Sequence, residues 1–311
     1  PIIDTVPTFL DFWDKAGGLV PPLQLLTWEK EYYEPNRQVF DLYFTRWADR
    51  SQLPEAFARY PKSVTTIRAL AETFPRDAER IAVEAGSVLA AVAAVDVIAL
   101  VGAYGAGSWS WPVFSRPAAL VALESFASRS RLGLALAHEI GYAVAQNAAG
   151  VGFGEVQRYQ HDLLFNLAFE GLAGLIAMVV RPGLSDSEYA WPSGGAPSRG
   201  EPGGGEPSGG EPGPAVPTAA DDRLAWCRRH RSELLRSLAR DSLANEADVC
   251  DHYFGPNGDY AGRRGIGQWL ALEFAREALD PSKAASLVAG GVGTIRGTAA
   301  DWIRRAADRA R

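Results

Sequence analysis

The sequence predicts an α+β fold: a mostly helical domain with a small β-sheet packed on one apolar helix. Three observations carry this expectation. Aromatic and aliphatic residues recur at helical spacing through about Glu84. Two short apolar runs, 97–101 and 118–123, then sit between Gly, Ser, Trp and Pro, as strands of a small sheet would. Beyond them the helical texture returns, in segments too apolar to be surface helices.

In chain order, Phe9, Phe12 and Trp13 share one helical stripe, and Phe40, Tyr43, Phe44 and Trp47 share another. Aromatic stripes of this kind form core. The two apolar runs are separated by a loop around 105–112. Ser130 or a neighbour can cap a helix reaching about Gln146, with Asn147 and Gly150 to end it. A second helix is expected from about Glu155 to Val180, stopped by Pro182 and Gly183. Residues 193–219 are rich in Gly, Pro, Ser and Glu, and Gly-Glu-Pro recurs at Gly200, Gly205 and Gly210. Such a segment buries too little apolar surface to offset its ordering entropy, so a disordered insertion is expected. Residues 220–311 read as helical and as the rest of the domain begun by 1–192.

Composition narrows the function. Of the 311 residues, 47% are hydrophobic and 22% charged, enough for a substantial core. The formal charge of -6 argues against nucleic acid as a main partner, because phosphate binding needs a basic face. Two cysteines, Cys227 and Cys250, make no disulfide framework and favour a reducing, cytoplasmic setting. The opening Pro1-Ile2-Ile3-Asp4 shows no basic stretch followed by an apolar one, so no signal peptide is visible. Segments 88–107 and 163–180 are apolar enough to raise the membrane question. The first carries Asp96 and the second carries Asn166 and Glu170, so buried strand and buried helix are expected, and no membrane partner.

The chemistry is concentrated in two helices. The first reads His138-Glu139-Ile140-Gly141-Tyr142. In His-Glu-x-x-His, histidines four apart face one metal from one helical face, and the glutamate serves as base to the metal-bound water. Here the fifth position is Tyr142. The next helix is almost wholly apolar yet carries Asp162, Asn166 and Glu170 at four-residue steps. A carboxylate within Leu-Ala-Phe-Glu170-Gly-Leu-Ala needs a metal or a histidine beside it, since an unpaired buried charge is very costly.

This order of elements resembles a gluzincin group, the predicted zinc-dependent proteases of the DUF2268 type, which implies a zincin-like fold. The flanks are similar too, from Asp11-Phe12-Trp13 through Trp28 to Phe44, and at 265–270 after Asn257-Gly258-Asp259-Tyr260. The resemblance implies that His138 and Glu170 are zinc ligands and Glu139 the general base. The family's second histidine ligand falls on Tyr142, which departs from the pattern. Three outcomes follow for that position: ligation as a phenolate, replacement by another donor such as His161, or a metal-free remnant with Tyr142 bonded to Glu170. Tyr260 is a candidate transition-state hydrogen-bond donor, and Arg263 and Arg264 are either substrate anchors or a solvated helix start.

Two functions remain open. One is a zinc metallopeptidase acting on peptides or proteins. The other is a binding module on a retired peptidase fold, holding an extended peptide beside an edge strand. Cys227-x-x-His230 with Cys250-x-His252 offers a weaker zinc candidate, in an arginine-rich stretch that favours solvent. No phosphate-binding loop or nucleophile elbow is present. The glycine-rich run 102–107 lacks dinucleotide-site spacing and reads as a sheet loop.

Overall fold

The computed structural model describes residues 1–92, 94–113, 115–192, 219–243, 246–254, 260, 263 and 265–310. The expected insertion lies almost entirely outside them. The expected α+β architecture is what the chain adopts: helices surround one small mixed sheet.

The chain opens with β1 (Ile2–Asp4), a correction to the all-helical expectation for its first part. Three residues are too few to show alternation, and only pairing with a distant strand makes this segment extended. Helices α1 (Val6–Ala16), α2 (Pro21–Trp28) and α3 (Arg37–Arg46) follow, with a π-turn at Glu29–Tyr33 between the last two. Both predicted aromatic stripes join the core, with Phe9, Phe12, Phe40 and Tyr43 fully buried and Phe44 and Trp47 partly buried against it. Then comes the 36-residue α4 (Leu53–Val88).

Next come β2 (Asp96–Leu100), β3 (Ser108–Ser110) and β4 (Ala118–Ala122). Strand order is β1-β2-β4-β3, with β1, β2 and β4 parallel and β3 antiparallel at one edge. β2 and β4 are buried at every position, as continuous apolar runs require when helices cover both faces. β3 lies in what reads as loop, because a three-residue strand is legible only through its partner.

The sheet packs on α5 (Arg129–Ala148), capped by the Ser128 side chain, which accepts the Arg131 N–H at 3.3 Å. The expected second helix is two: α6 (Phe153–Tyr159) and α7 (Leu163–Val180). Asp162 makes the break, its side chain accepting the Phe165 N–H at 2.7 Å as the N-cap of α7. The helix α7 is long and apolar enough to cross a membrane, but 72% of that stretch is buried inside the fold.

Beyond α8 (Asp186–Ala190) and the insertion come α9 (Ala219–Arg229), α10 (Arg231–Asp241), α11 (Ala247–Phe254), α12 (Ile266–Ala278), α13 (Ala284–Ala289) and α14 (Gly291–Arg309). α12 and α14 pack directly on α7. A Cβ on Gly171 would lie 2.5 Å from the ring of Phe274, so only glycine permits the α7–α12 approach. On the other side of α7, a Cβ on Gly141 of α5 would meet Ile176 at 3.0 Å. The helix bearing Glu170 is therefore held tightly between the motif helix and the C-terminal segment.

Candidate active site

That close packing brings His138 and Glu170 together. His138 Nε2 lies 3.4 Å from Glu170 Oε2, and His138 Nδ1 lies 3.7 Å from Glu139 Oε1. Burial opposes a charge on the imidazole, but the two carboxylates outweigh it and hold His138 well above its ordinary value. The pair that the sequence assigns to neighbouring helices thus stands together, His138 buried and Glu170 half-buried. His138 Nδ1 itself has no hydrogen-bond partner within reach.

Glu139 points the other way, toward the sheet. Ser108 Oγ donates to its Oε1 at 3.0 Å, and Ser110 Oγ donates to its Oε2 at 2.8 Å. Ser110 Oγ also lies 2.7 Å from the Glu139 carbonyl. The two serines were not legible as site residues. The available signal was the Ser-Trp-Ser alternation at 108–110, which puts both hydroxyls on one face of a strand. Ala122 N–H donates to the Gly107 carbonyl and Trp111 N–H to the Ala118 carbonyl, so the odd-numbered residues face β4. The backbone groups of Ser108 and Ser110 consequently face the open edge of the sheet.

Of the three polar residues at four-step spacing, only Glu170 joins this site. Asp162 caps α7 and pairs with Arg296. The Asn166 amide donates to the carbonyls of Gln160 and Asp162, each at 3.0 Å, and to Cys250 Sγ at 3.3 Å. Tyr142 is half-buried, with its ring 6.0 Å from that of Phe169. Burial pushes its phenol well above the usual value, and the charges of Glu170 and Glu139 push in the same direction.

Tyr260 forms a two-residue bridge with Arg263 and stacks near His252 and Tyr253, with ring separations of 4.9 and 5.8 Å. These contacts are to α11 and not to His138 or Glu139. Arg263 lies over the Trp226 ring, and Arg264 falls outside the described residues. The cysteine and histidine pairs do not meet in one site. His230 stacks on Trp226 and faces Glu233, while Cys250 lies against Asn166. Burial pushes both thiols up to about 12, which suits inert core cysteines. The Nδ1 of His161 is buried without a hydrogen-bond partner, and no described contact places that ring beside His138.

A zinc ion can be tested against this geometry. With ligand bonds of about 2.0–2.2 Å at tetrahedral angles, two donor atoms stand roughly 3.4 Å apart. The 3.4 Å between His138 Nε2 and Glu170 Oε2 matches two corners of such a site. A catalytic zinc takes three protein ligands. Among the described residues, no group of three or more His, Cys, Asp and Glu side chains is arranged to hold a metal. The third corner would need the Tyr142 phenolate, against a pull that favours the neutral phenol. The donor set is one ligand short of the gluzincin pattern. Comparison with family models, with curated proteins and with solved structures gives no match for this chain.

Proposed function

We propose that this chain is a peptide-binding module built on a gluzincin-type metallopeptidase scaffold, with hydrolysis lost where tyrosine stands for the second histidine. The observation that carries the reading is the double serine clamp on Glu139. Both carboxylate oxygens, from which a general base would take up a proton, accept hydroxyls from β3, which ties the carboxylate to the strand. Beside them the outward N–H and C=O groups of Ser108 and Ser110 suit an extended peptide added as a further strand. The two free, buried cysteines are consistent with a cytoplasmic setting.

A second reading, zinc-dependent hydrolysis of peptide bonds, is favoured by the ligand-like spacing of His138 and Glu170. In that case His138, Tyr142 and Glu170 would hold the metal, and Glu139 would serve as base.

The experiment is metal content by mass spectrometry for the natural chain, Tyr142→His and His138→Ala, beside binding of fluorescein-labelled casein fragments with and without EDTA. The module reading expects no zinc in the natural chain, about one per chain after Tyr142→His, and casein binding indifferent to EDTA. Zinc at about one per chain in the natural protein, lost in His138→Ala and with EDTA-sensitive cleavage of casein, would establish the second reading instead. Absence of casein binding in every variant would sink the module.

A further inference from the structure

Just past the end of β4 lies a second buried carboxylate that the proposed site does not use. Glu124 stands two residues beyond β4, in the 3-10 turn Leu123–Ser125 at the carboxyl ends of the parallel strands, and is 7% exposed. Its Oε1 accepts the Tyr104 N–H at 3.2 Å, while its Oε2 is buried with no hydrogen-bond partner. Tyr104 belongs to the glycine-rich run 102–107 and adopts φ of 54°, a left-handed backbone that a non-glycine residue holds only under constraint.

The constraint is visible. Tyr43 Oη accepts the N–H groups of Ala103 at 3.0 Å and Gly105 at 3.1 Å, and the Tyr60 hydroxyl donates to the Gly102 carbonyl. A Cβ on Gly102 would come within 2.5 Å of the Tyr43 phenol, so the run needs its glycine to wrap there. The loop is therefore a small nest of N–H donors filled by one carboxylate and one phenol of the same chain. It leads within five residues of Gly105 into Ser108 and Ser110, the clamp on Glu139.

We infer that Glu124 is a proton-operated latch on the glycine-rich loop: protonated, it stays buried with Oε1 on the Tyr104 N–H and fixes β3, and ionised, it is driven toward solvent, releases the loop and loosens the serine clamp on Glu139. The groups facing Glu124 are the phenols of Tyr32, Tyr43, Tyr60 and Tyr104 and the guanidinium of Arg59, which lies 3.6 Å over the Tyr104 ring. The four phenols stay neutral in this setting, each raised chiefly by burial. Glu124 is then the one group of this cluster that changes charge near neutrality. Burial pushes it up to about 7, against the pull of the N–H groups of Gly102, Glu124 and Tyr104 and of Arg59. The latch depends on neither peptide nor metal, so it stands or falls apart from the function proposed above.

The test is the amide NMR spectrum of the full chain followed from about pH 5 to about pH 8. Gly102, Tyr104, Gly105, Ser108 and Ser110 are expected to move together with a midpoint at about 7. Glu124→Gln should hold them near their acidic positions throughout. Arg59→Gln should shift the midpoint upward by about half a unit or more, and this variant keeps the test decisive if Glu124→Gln does not fold. Resonances that do not titrate, or that titrate unchanged in Glu124→Gln, would overturn the latch. Movement of Gly102 and Tyr104 with Ser108 and Ser110 motionless would refute its coupling to the clamp.

Discussion

Glu124→Gln makes the sharpest thermodynamic prediction. A carboxyl raised from 4.5 to about 7 in the folded chain is one whose charged form the fold disfavours. The folded state then binds more protons than the unfolded state between those values, so stability falls as pH rises through that window. Below the window both states are neutral at this site and nothing is lost. Two and a half units at about 1.4 kcal/mol each give a loss of about 3 kcal/mol once both states are ionised. The cause is burial at the carboxyl ends of β2 and β4, where Oε2 finds no donor. Glutamine keeps the acceptor for the Tyr104 N–H and removes the charge. Urea unfolding of both proteins at several values from about pH 4 to about pH 8 measures the effect. Stability of the natural chain relative to the variant should fall by about 3 kcal/mol across the range. Taking the difference cancels other titrating groups, His138 among them. Parallel curves would refute the reasoning, and so would a natural chain that gains on the variant as pH rises.

Other perturbations probe the same framework. Tyr43→Phe leaves the buried N–H groups of Ala103 and Gly105 without an acceptor and should cost about 2–4 kcal/mol in urea unfolding, while a cost under half a kcal/mol would contradict the loop geometry. Gly171→Ala adds a Cβ against Phe274 and should destabilise by about 1–3 kcal/mol despite alanine's better helix propensity, measured as a lowered midpoint of thermal unfolding. Glu170→Ala strips the buried His138 of its nearest carboxylate and should cost about 2–4 kcal/mol, with partial recovery in the double variant carrying His138→Leu as well.

Much of the fold was legible because local patterns already carry it. The aromatic stripes around Phe9 and Phe40, the continuous apolar runs that became β2 and β4, and the span of the motif helix each extend over enough residues to be read without partners. The pairing of His138 with Glu170 was also legible, since a carboxylate in so apolar a helix requires a countercharge close by. The break before α7 was missed because Asp162 reads equally well as a face residue and as a cap, and only the chain's turn at Gln160 decides between them.

What the sequence determined by itself is therefore the inventory: helical layers, a small buried sheet, and two helices with complementary charges. The tertiary structure alone decided what else those groups meet. It placed β1 and β3 as strands, since three-residue segments become extended only through hydrogen bonds to a distant partner. It turned Glu139 onto Ser108 and Ser110, and it buried Glu124 among four tyrosines drawn from the π-turn, α3, α4 and the glycine-rich loop. Helix and strand patterns are set by near neighbours along the chain, whereas the charge state of a buried carboxylate is set by whatever the fold packs around it.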